Sequence, residues 1–588
     1  MIKTLFNKNI HLIIFFFISF IPFLSILDTG YIADDAYNSQ IKGAILHQDI
    51  SLIDRIVAES KGWIFGAGRI FIFNWFWIYS LFYFVTSTFF VKLIGLTILA
   101  LNFFAFFYLI RKISGSIFIA LFSIIFLSIV LQFKPPNDPI LAYAFMVPLQ
   151  WLLIQFSLIL FDFYLSNKKI VFIIFSSIFF FLALTIYELG IFLSPLFFFL
   201  AYYKLDSVKN AISSSAPFLL ISFAISILIL YLKLYVISTP DHPEGTYPGA
   251  NLQSYDLKNY LLSIYYQIIS AFPLTDLITG KSKTLIFLKR DFLNLIYLLC
   301  VIPFFFYKKQ FFDRKTKINL PILFALFLIL VPPAIVALSG HQKEILHYGI
   351  GYLYLSSIYQ YFGTSLFLSC LFYILYFKFN KYFSFKVIVI LVVCSLFVYN
   401  LGKNNKMVRS MGDFKYPREI LEKSIQQGIF KPLKNDSFVF RYMLFPSDYF
   451  WSYTTLSDLK IHTCELARIN QRAIDGNDNY INCLELLFNE NLFSQELKLT
   501  DKDSWLLTYN YDKKYGKSGK LILAKIDSIK LDKNYDLSSI LSKSIYIYDL
   551  KTNQVELYNL PNLYDLKKIT DQRYTDYKSV NYPEFLIY

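Results

Sequence analysis

The sequence predicts a polytopic α-helical membrane protein that carries a second, water-facing unit at its C-terminal end. Of its 588 residues, 56% are hydrophobic and 20% are aromatic. Apolar runs of about 18 residues, the length that crosses a hydrocarbon core, recur up to residue 400. Beyond residue 400 these runs shorten and charged residues become frequent. We therefore expect a membrane domain at 1–400 and a soluble domain at 401–588.

About eleven apolar runs are predicted to span the bilayer. They are 10–27, 89–110, 116–132, 142–164, 170–187, 190–203, 212–237, 292–307, 318–338, 361–377 and 384–400. The stretch 63–86 is interpreted as an interfacial or re-entrant helix, because its Trp and Tyr residues suit the headgroup zone. Counting it as a full span would place Arg111 and Lys112 outside and invert every later loop.

Charge placement predicts the orientation. Alternate short loops carry 16 basic residues and only three acids, Asp162, Asp206 and Asp313. The basic residues are Lys3, Lys8, Arg111, Lys112, Lys168, Lys169, Lys204, Lys209, Lys308, Lys309, Arg314, Lys315, Lys317, Lys378, Lys381 and Lys386. Because positive loops stay in the cytoplasm, the N-terminus is expected inside. The first loop, 28–88, and the C-terminal domain are expected outside.

Most of the net positive charge lies in the membrane part, which has 29 basic and 17 acidic residues against 27 and 24 in residues 401–588. It matches anionic lipid headgroups. The predicted soluble domain contains no basic patch with interleaved aromatic residues, so the charge does not indicate nucleic-acid binding. In the C-terminal part, alternating segments at 504–510, 520–526, 544–550 and 553–560 predict strands of an α/β or α+β domain.

The five cysteines divide between the two parts. Cys300, Cys370 and Cys394 fall in predicted spans and are interpreted as small core residues. Cys464 and Cys483 fall in the C-terminal domain, where an oxidising exterior permits a disulfide. Two separate buried thiols are the alternative for this pair.

The adjacent acids Asp34 and Asp35, just after the first span, are the strongest functional signal. Apolar residues at helical spacing follow them in a segment that we expect to lie along the membrane; these are Ile41, Ile45, Leu52, Ile53, Ile56 and Val57. Capping this helix needs only one acid. The second acid points to chemistry or cation binding at the membrane surface.

Other polar residues in the predicted external loops are weaker candidates. Arg69 suits a phosphate, and a snorkelling arginine is the alternative. Glu188, at the outer end of the fifth span, either lines a cavity or caps its helix. His242 and Glu244 form either part of a metal site or a polar turn. The loop with His341, Lys343 and His347 fits a phosphate site better than zinc, because no His-x-x-x-His pair is present.

This layout resembles the GT-C class of membrane glycosyltransferases. The shared features are one span, an external loop opening with paired acids, about ten further spans and an external C-terminal domain. Protein O-mannosyltransferases, lipid A aminoarabinose transferases and bacterial surface-polysaccharide glucosyltransferases are similar in plan. Their first loop often reads Asp-Glu-Ala, where this chain has Asp34, Asp35 and Ala36. The sequence lacks the Trp-Trp-Asp motif of oligosaccharyltransferases, so that branch of the class is not expected.

The resemblance implies an inverting sugar transfer from a polyprenyl-phosphate donor to a hydroxyl of a surface glycan, lipid or protein. Asp34 would be the general base, and Asp35 its partner or the ligand of a divalent metal such as Mg or Mn. Arg69, His341, Lys343 and His347 would bind the donor phosphate. The expected location is the bacterial inner membrane, with the active site outside the cytoplasm.

Two other functions stay open at this stage. A polysaccharide polymerase would use similar external loops with a lipid-linked oligosaccharide donor. A lipid-linked sugar transporter or flippase is disfavoured, because such proteins usually show repeats and charges at the membrane midplane. Here the charges lie at the ends of the spans.

Overall fold

A computed structural model describes the chain in stretches. They are 18–31, 34–39, 41–42, 45, 50–85, 87–134, 138–236, 257–272, 291–306, 318–338, 355–379, 382–412, 420, 423–424, 426–434, 437–441, 462–465, 496–498, 503–511, 519–530, 541–549 and 552–558. The chain divides into two compact units. The first unit comprises Met1–Leu27, Ile53–Leu81 and Phe89–Arg409. The second unit comprises Asp28–Leu52, Phe82–Thr88 and Ser410–Tyr588.

The described helices are numbered in chain order. They are α1 Asp34–Asn38, α2 Leu52–Ala67, α3 Ile72–Phe84, α4 Thr88–Ser114, α5 Ile117–Val130, α6 Met146–Asn167, α7 Ile170–Leu184, α8 Pro195–Leu205, α9 Val208–Tyr231, α10 Leu257–Ser270, α11 Phe292–Val301, α12 Asn319–Val336, α13 Ser357–Phe379 and α14 Phe383–Gly412. Short 3-10 helices cover Ile21–Asp28, Tyr143–Phe145, Glu188–Leu193 and Ile302–Phe306, and Leu232–Val236 is a π-helical turn.

Seven of the described helical segments are long and apolar enough to cross a membrane. They are Thr88–Ser114, Tyr143–Asn167, Glu188–Leu205, Val208–Leu234, Asn319–Val336, Ser357–Phe379 and Phe383–Arg409. Shorter apolar helices cover Ile117–Val130, Ile170–Leu184 and Phe292–Phe306. These segments coincide with the predicted spans after the first one, which is described only from residue 18. This set of helices is compatible with a polytopic helical membrane protein.

Two predicted boundaries differ from the structure. The stretch 63–86 is not one helix, because α2 ends at Ala67 and α3 begins at Ile72. At 13 residues, α3 is about 20 Å long, shorter than the roughly 30 Å hydrocarbon core. The predicted domain boundary at 400/401 falls inside α14, which continues to Gly412.

The core of the first unit lies around α5, whose residues from Phe118 to Val130 are buried with few exceptions. Helix α13 packs on α5 and α12, and α6 packs on α7. Two serines allow α6 and α7 to approach closely. Ser157 Oγ donates to the Ser176 backbone oxygen, and Ser176 Oγ donates to the Ser157 backbone oxygen, each at 2.6 Å. Small hydroxyl residues of this kind join helices in membranes.

The second unit contains a seven-stranded sheet. Its strands are β1 Phe438–Arg441, β2 His462–Glu465, β3 Glu496–Lys498, β4 Ser504–Tyr511, β5 Gly519–Lys530, β6 Leu541–Asp549 and β7 Gln554–Tyr558. The strand order is β2-β1-β4-β5-β6-β7, and β3 also pairs with β5. Strand β1 runs parallel to β2 and β4, whereas the pairs from β4 to β7 are antiparallel. The four segments predicted as strands therefore coincide with β4 to β7.

Alternating hydrophobic residues explain these strands. Four consecutive residues of β5, Leu521 to Ala524, are completely buried, so both faces of this central strand are covered. The β6–β7 hairpin turns at Asn553, whose φ is +57°, a conformation that Asn tolerates better than most residues. The Tyr548 hydroxyl also donates to the Asn553 side-chain oxygen at 2.9 Å.

Candidate functional site

The predicted acid pair forms the start of α1. Both carboxylates lie in the first turn of this helix, where the positive end of the helix dipole favours negative charge. Asp34 is exposed, whereas Asp35 is fully buried. Surrounding protein desolvates the Asp34 carboxyl group and raises its pKa, although part of the side chain keeps contact with solvent. One acid can therefore exchange protons with solvent, while the other is enclosed.

The segment after the acid pair is partly enclosed by protein. Ile41 and Ile45 are buried, with 4% and 2% of their surface exposed. Ile53 and Val57 are 71% and 44% exposed. Ile41 and Ile45 belong to the core of the protein, whereas Ile53 and Val57 on α2 face solvent or lipid. That this segment lies along the membrane stays a prediction.

Arg69 lies in the joint between α2 and α3 and forms an ion pair with Glu188. Its Nε donates to Glu188 Oε1 at 3.0 Å, and a terminal nitrogen donates to Oε2 at 2.8 Å. Only 13% and 18% of the two side chains are exposed. The joint is possible because Gly68 adopts a φ of +61°, which glycine reaches without steric cost.

Aromatic rings surround the Arg69 guanidinium. Its central carbon lies 4.0 Å from the centroid of Phe71, 5.4 Å from that of Tyr187 and 5.9 Å from that of Trp63. These distances allow cation–π attraction. Lys233 also lies within electrostatic range of the Arg69–Glu188 pair. The role of Arg69 as a phosphate ligand stays a prediction, and a phosphate there would have to share the guanidinium with Glu188.

A buried amide fixes the turn that carries Glu188. Gln150 on α6 donates to the backbone oxygens of Ala183 and Tyr187, and the Tyr359 hydroxyl donates to the Gln150 side-chain oxygen. Gly190 leaves the space for this amide, because a Cβ there would lie 2.7 Å from the Gln150 nitrogen. Residues of α6, α7 and α13 thus fix the turn that carries Glu188.

Sequence reasoning missed a buried polar loop between α5 and α6. Asp138 is fully buried and accepts backbone N–H bonds from Lys134, Ile140 and Leu141. Burial raises the pKa of Asp138 to about 7, against the lowering effect of these bonds and of the Lys134 charge. Lys134 is also buried, and its ammonium group donates to the Gln132 side chain and to the Ser270 backbone oxygen.

Helix α14 supports this loop through two asparagines. Asn400 Nδ2 donates at 2.7 Å to the backbone oxygens of Ile129 and Leu131, near the end of α5. Asn404 donates to the Leu131 oxygen at 3.1 Å and accepts from the Phe133 N–H at 2.9 Å. Side chains about 270 positions away in the chain therefore satisfy carbonyl groups that an α-helix leaves unpaired at its end.

The same loop ends in a strained turn. Tyr143, Ala144 and Phe145 have φ values of +57°, +50° and +60°, in the left-handed region that costs roughly 1–2 kcal/mol per residue. The Trp77 indole donates to the Ala144 oxygen at 2.7 Å. Lys92, fully buried on α4, donates to the Leu141 oxygen. In the sequence, the proline-rich run Lys-Pro-Pro-Asn-Asp-Pro at 134–139 could have indicated the irregular loop between α5 and α6.

Several predicted residues lie outside the part of the chain that the structure describes. They are His242, Glu244, His341, Lys343, His347 and Cys483. Cys464 lies in β2, but its side chain is also outside the description. Neither the disulfide nor the second phosphate-binding loop is therefore tested. Cys300, Cys370 and Cys394 lie in α11, α13 and α14 as free thiols.

Within the described residues, no group of three or more His, Cys, Asp or Glu side chains is placed to hold a metal ion. The role of Asp35 as a metal ligand stays a prediction. Among known proteins, no family model matches this chain, and a search of curated proteins finds no significant match.

Proposed function

We propose that this membrane protein is an inverting glycosyltransferase of the GT-C type. The observation that carries the proposal is the acid pair at the start of α1. It follows the first apolar run of a polytopic helical membrane protein, and its two acids differ in exposure. In this reading the acid pair faces the outside of the bacterial inner membrane, together with the C-terminal domain.

Asp34 acts as the general base in the proposed reaction. An acceptor hydroxyl attacks the anomeric carbon, and a new C–O bond forms while the bond from that carbon to the lipid phosphate breaks. The hydroxyl proton passes to the Asp34 carboxylate, and the polyprenyl phosphate leaves with the electron pair. Inversion needs only this one displacement. Its exposed position and raised pKa suit Asp34 to exchanging this proton.

Asp35 positions Asp34, or it would hold a divalent metal, Mg or Mn, whose charge would stabilise the leaving phosphate. Arg69, His341, Lys343 and His347 are the proposed phosphate ligands. Glu188 holds the Arg69 guanidinium in a fixed orientation through two hydrogen bonds. The acceptor is a hydroxyl of a cell-surface glycan, lipid or protein.

The test compares the surface glycans of cells lacking the gene with those of cells carrying the wild type, Asp34→Asn or Asp54→Asn. Asp34→Asn should remove one sugar from the glycan mass spectrum and lower transfer about 100-fold or more, the usual scale for losing a general base. Asp54→Asn is the matched control, since Asp54 is an exposed acid on α2 and should keep wild-type glycans.

The outcome also separates the alternatives. Loss of one sugar per repeat supports the transferase. Loss of chain length with intact repeat units would support a polymerase. Wild-type glycans with Asp34→Asn and Asp35→Asn would contradict the catalytic role of the pair and move a lipid-linked sugar transporter ahead of it.

A further inference from the structure

The turn that carries Glu188 contacts the α2–α3 joint at three points. Glu188 accepts two hydrogen bonds from Arg69, and the Thr185 backbone oxygen accepts the Asn74 N–H at 3.2 Å. The centroid of the Tyr187 ring lies 5.4 Å from the central carbon of the Arg69 guanidinium. The orientation of Arg69 therefore depends on the conformation of this turn.

Gln150, fully buried on α6, holds the backbone of the turn. Its Nε2 donates to the backbone oxygens of Ala183, at 2.8 Å, and Tyr187, and its Oε1 accepts from the Tyr359 hydroxyl on α13. Only a carboxamide can do this, because both N–H groups of one nitrogen donate while the oxygen of the same group accepts. An ionised glutamate or a methionine of similar length could not donate.

The two carbonyl groups that Gln150 binds lie on either side of the bend. Ala183 is in the last turn of α7, where a helix leaves its carbonyl groups without intrahelical partners. Tyr187 directly precedes Glu188. A Cβ at Gly190 would lie 2.7 Å from the Gln150 nitrogen, so the turn and the amide fit together only with glycine at that position.

The charges around Arg69 favour an anion. Lys233, on the π-helical turn Leu232–Val236, lies within electrostatic range of both Arg69 and Glu188. The group therefore comprises two cations and one carboxylate, so Glu188 does not neutralise it. A guanidinium binds phosphate through a planar fork of N–H groups, and its affinity for phosphate therefore depends on how it is oriented.

We propose that Gln150 is a positioning residue for the donor phosphate. It fixes the turn, and Glu188 in that turn orients the Arg69 guanidinium. The inference rests on the proposed function for the role of Arg69. Gln150 itself does not touch the phosphate, so its loss should weaken phosphate binding only through Arg69.

The test measures the affinity of the purified full chain in detergent for farnesyl phosphate and for farnesol, which lacks the phosphate, by isothermal titration calorimetry. Gln150→Met should weaken farnesyl phosphate about 10-fold, the scale of one lost hydrogen bond to a charged group. It should change the affinity for farnesol by less than about 2-fold, which a general loss of structure would not do.

Gln155→Met is the matched control. Gln155 is also fully buried on α6, but it donates to the Asn102 side-chain oxygen on α4 at 2.8 Å. Its loss should lower thermal stability as Gln150→Met does and leave both affinities at the wild-type level. Gly190→Ala is a second route to the same effect, because its Cβ would displace the Gln150 amide without removing it.

A double variant shows whether Gln150 acts through Arg69. Arg69→Met with Gln150→Met should bind farnesyl phosphate no more weakly than Arg69→Met alone, since two residues in one chain of contacts are not additive. Additive losses, or an equal loss of affinity for farnesol, would overturn the positioning role.

The design separates this inference from the proposed function. If Arg69→Met weakens farnesyl phosphate while Gln150→Met and Gly190→Ala do not, the positioning role is wrong and the proposed function stands. If Arg69→Met binds farnesyl phosphate like the wild type, or the wild type does not distinguish it from farnesol, the phosphate role of Arg69 is wrong and that of Gln150 falls with it.

Discussion

At the scale of single residues, neighbours in the sequence have different environments. Asp34 and Asp35 are adjacent, but one is exposed and the other is fully buried. With 3.6 residues per helical turn, successive side chains point about 100° apart. Arg69 and Glu188, which are 119 positions apart, form two hydrogen bonds instead. The chemistry of each group therefore depends on its packing.

The raised pKa of Asp34 predicts a pH dependence for the proposed transfer. A base must be ionised, so the rate should rise as the pH passes upward through the Asp34 pKa. Since desolvation moves this pKa above its ordinary value of 3.8, the rise should come at a higher pH than for a fully hydrated aspartate. The measurement is kcat/KM against pH. An acid limb with the same midpoint in Asp34→Asn would assign the titration to another group.

The Arg69–Glu188 pair predicts coupled effects on stability. Arg69→Met and Glu188→Gln should each lower the midpoint of thermal unfolding, and the double variant should lose less than the sum. We expect a coupling of about 1–3 kcal/mol, because the pair is partly buried and doubly hydrogen-bonded. The cycle of Arg55→Met with Glu59→Gln is the control and should give about 0.3–0.5 kcal/mol, because this pair lies one turn apart on a single helix and its side chains are more exposed, at 28% and 25%. Equal couplings would contradict the structural importance of the first pair.

Among the helices, α2 directs charged residues towards its neighbour α3 and leaves large apolar residues exposed on its outer face. Its charged residues Arg55 and Glu59 are directed towards α3, where Arg55 Nε donates to the Tyr79 hydroxyl at 3.3 Å. Its residues Ile53 and Phe65 are 71% and 50% exposed. The outer face thus combines exposed apolar residues with Asp54 and Lys61, a mixture that suits a helix at the membrane surface.

This pattern predicts that the outer stripe of α2 contacts the membrane. In a cysteine-free background, a cysteine replacing Val57 should react slowly with a water-soluble maleimide in membranes and faster after detergent solubilisation. Asp28, exposed in the second unit, provides the control position, where labelling should be fast in both conditions. Fast labelling of the Val57 position in intact membranes would show that α2 faces water.

At the scale of the whole molecule, the chain divides at a point that hydropathy did not predict. The apolar part of α14 was expected to end at residue 400, but the helix continues to Gly412 and the first unit ends at Arg409. The segment Asp28–Leu52, with the acid pair, belongs to the same compact unit as the sheet. Chain order therefore does not divide the protein into its two units.

The loop charges predict the orientation of the molecule. Alkaline phosphatase fused after Gly412 should be active outside the cytoplasm, whereas fusions near Lys168 or Lys315 should be inactive. The reason is that positively charged loops resist export. A cytoplasmic reporter such as β-galactosidase at the same sites should give the opposite pattern. Activity of the phosphatase near Lys168 would invert the topology and place Asp34 on the cytoplasmic side.

The existence of most helices and of the strands β4 to β7 followed from sequence alone. Long apolar runs and the alternation of apolar and polar residues are local patterns. They depend only on whether each segment is surrounded by lipid, protein or water. The ends of α2, α3 and α14 were less accurate, since hydropathy does not detect the φ of Gly68 or the polar continuation of a helix into water.

The amino-acid pattern was enough to predict a polytopic helical membrane protein with paired acids after its first apolar run. The burial of Asp35, the pairing of Arg69 with Glu188 and the support that Asn404 gives to the loop after α5 became visible only in the folded molecule. The difference lies in the distance along the chain over which each interaction acts. Hydrophobicity acts along the chain within one segment, whereas hydrogen bonds and ion pairs join whichever groups packing brings within about 3 Å.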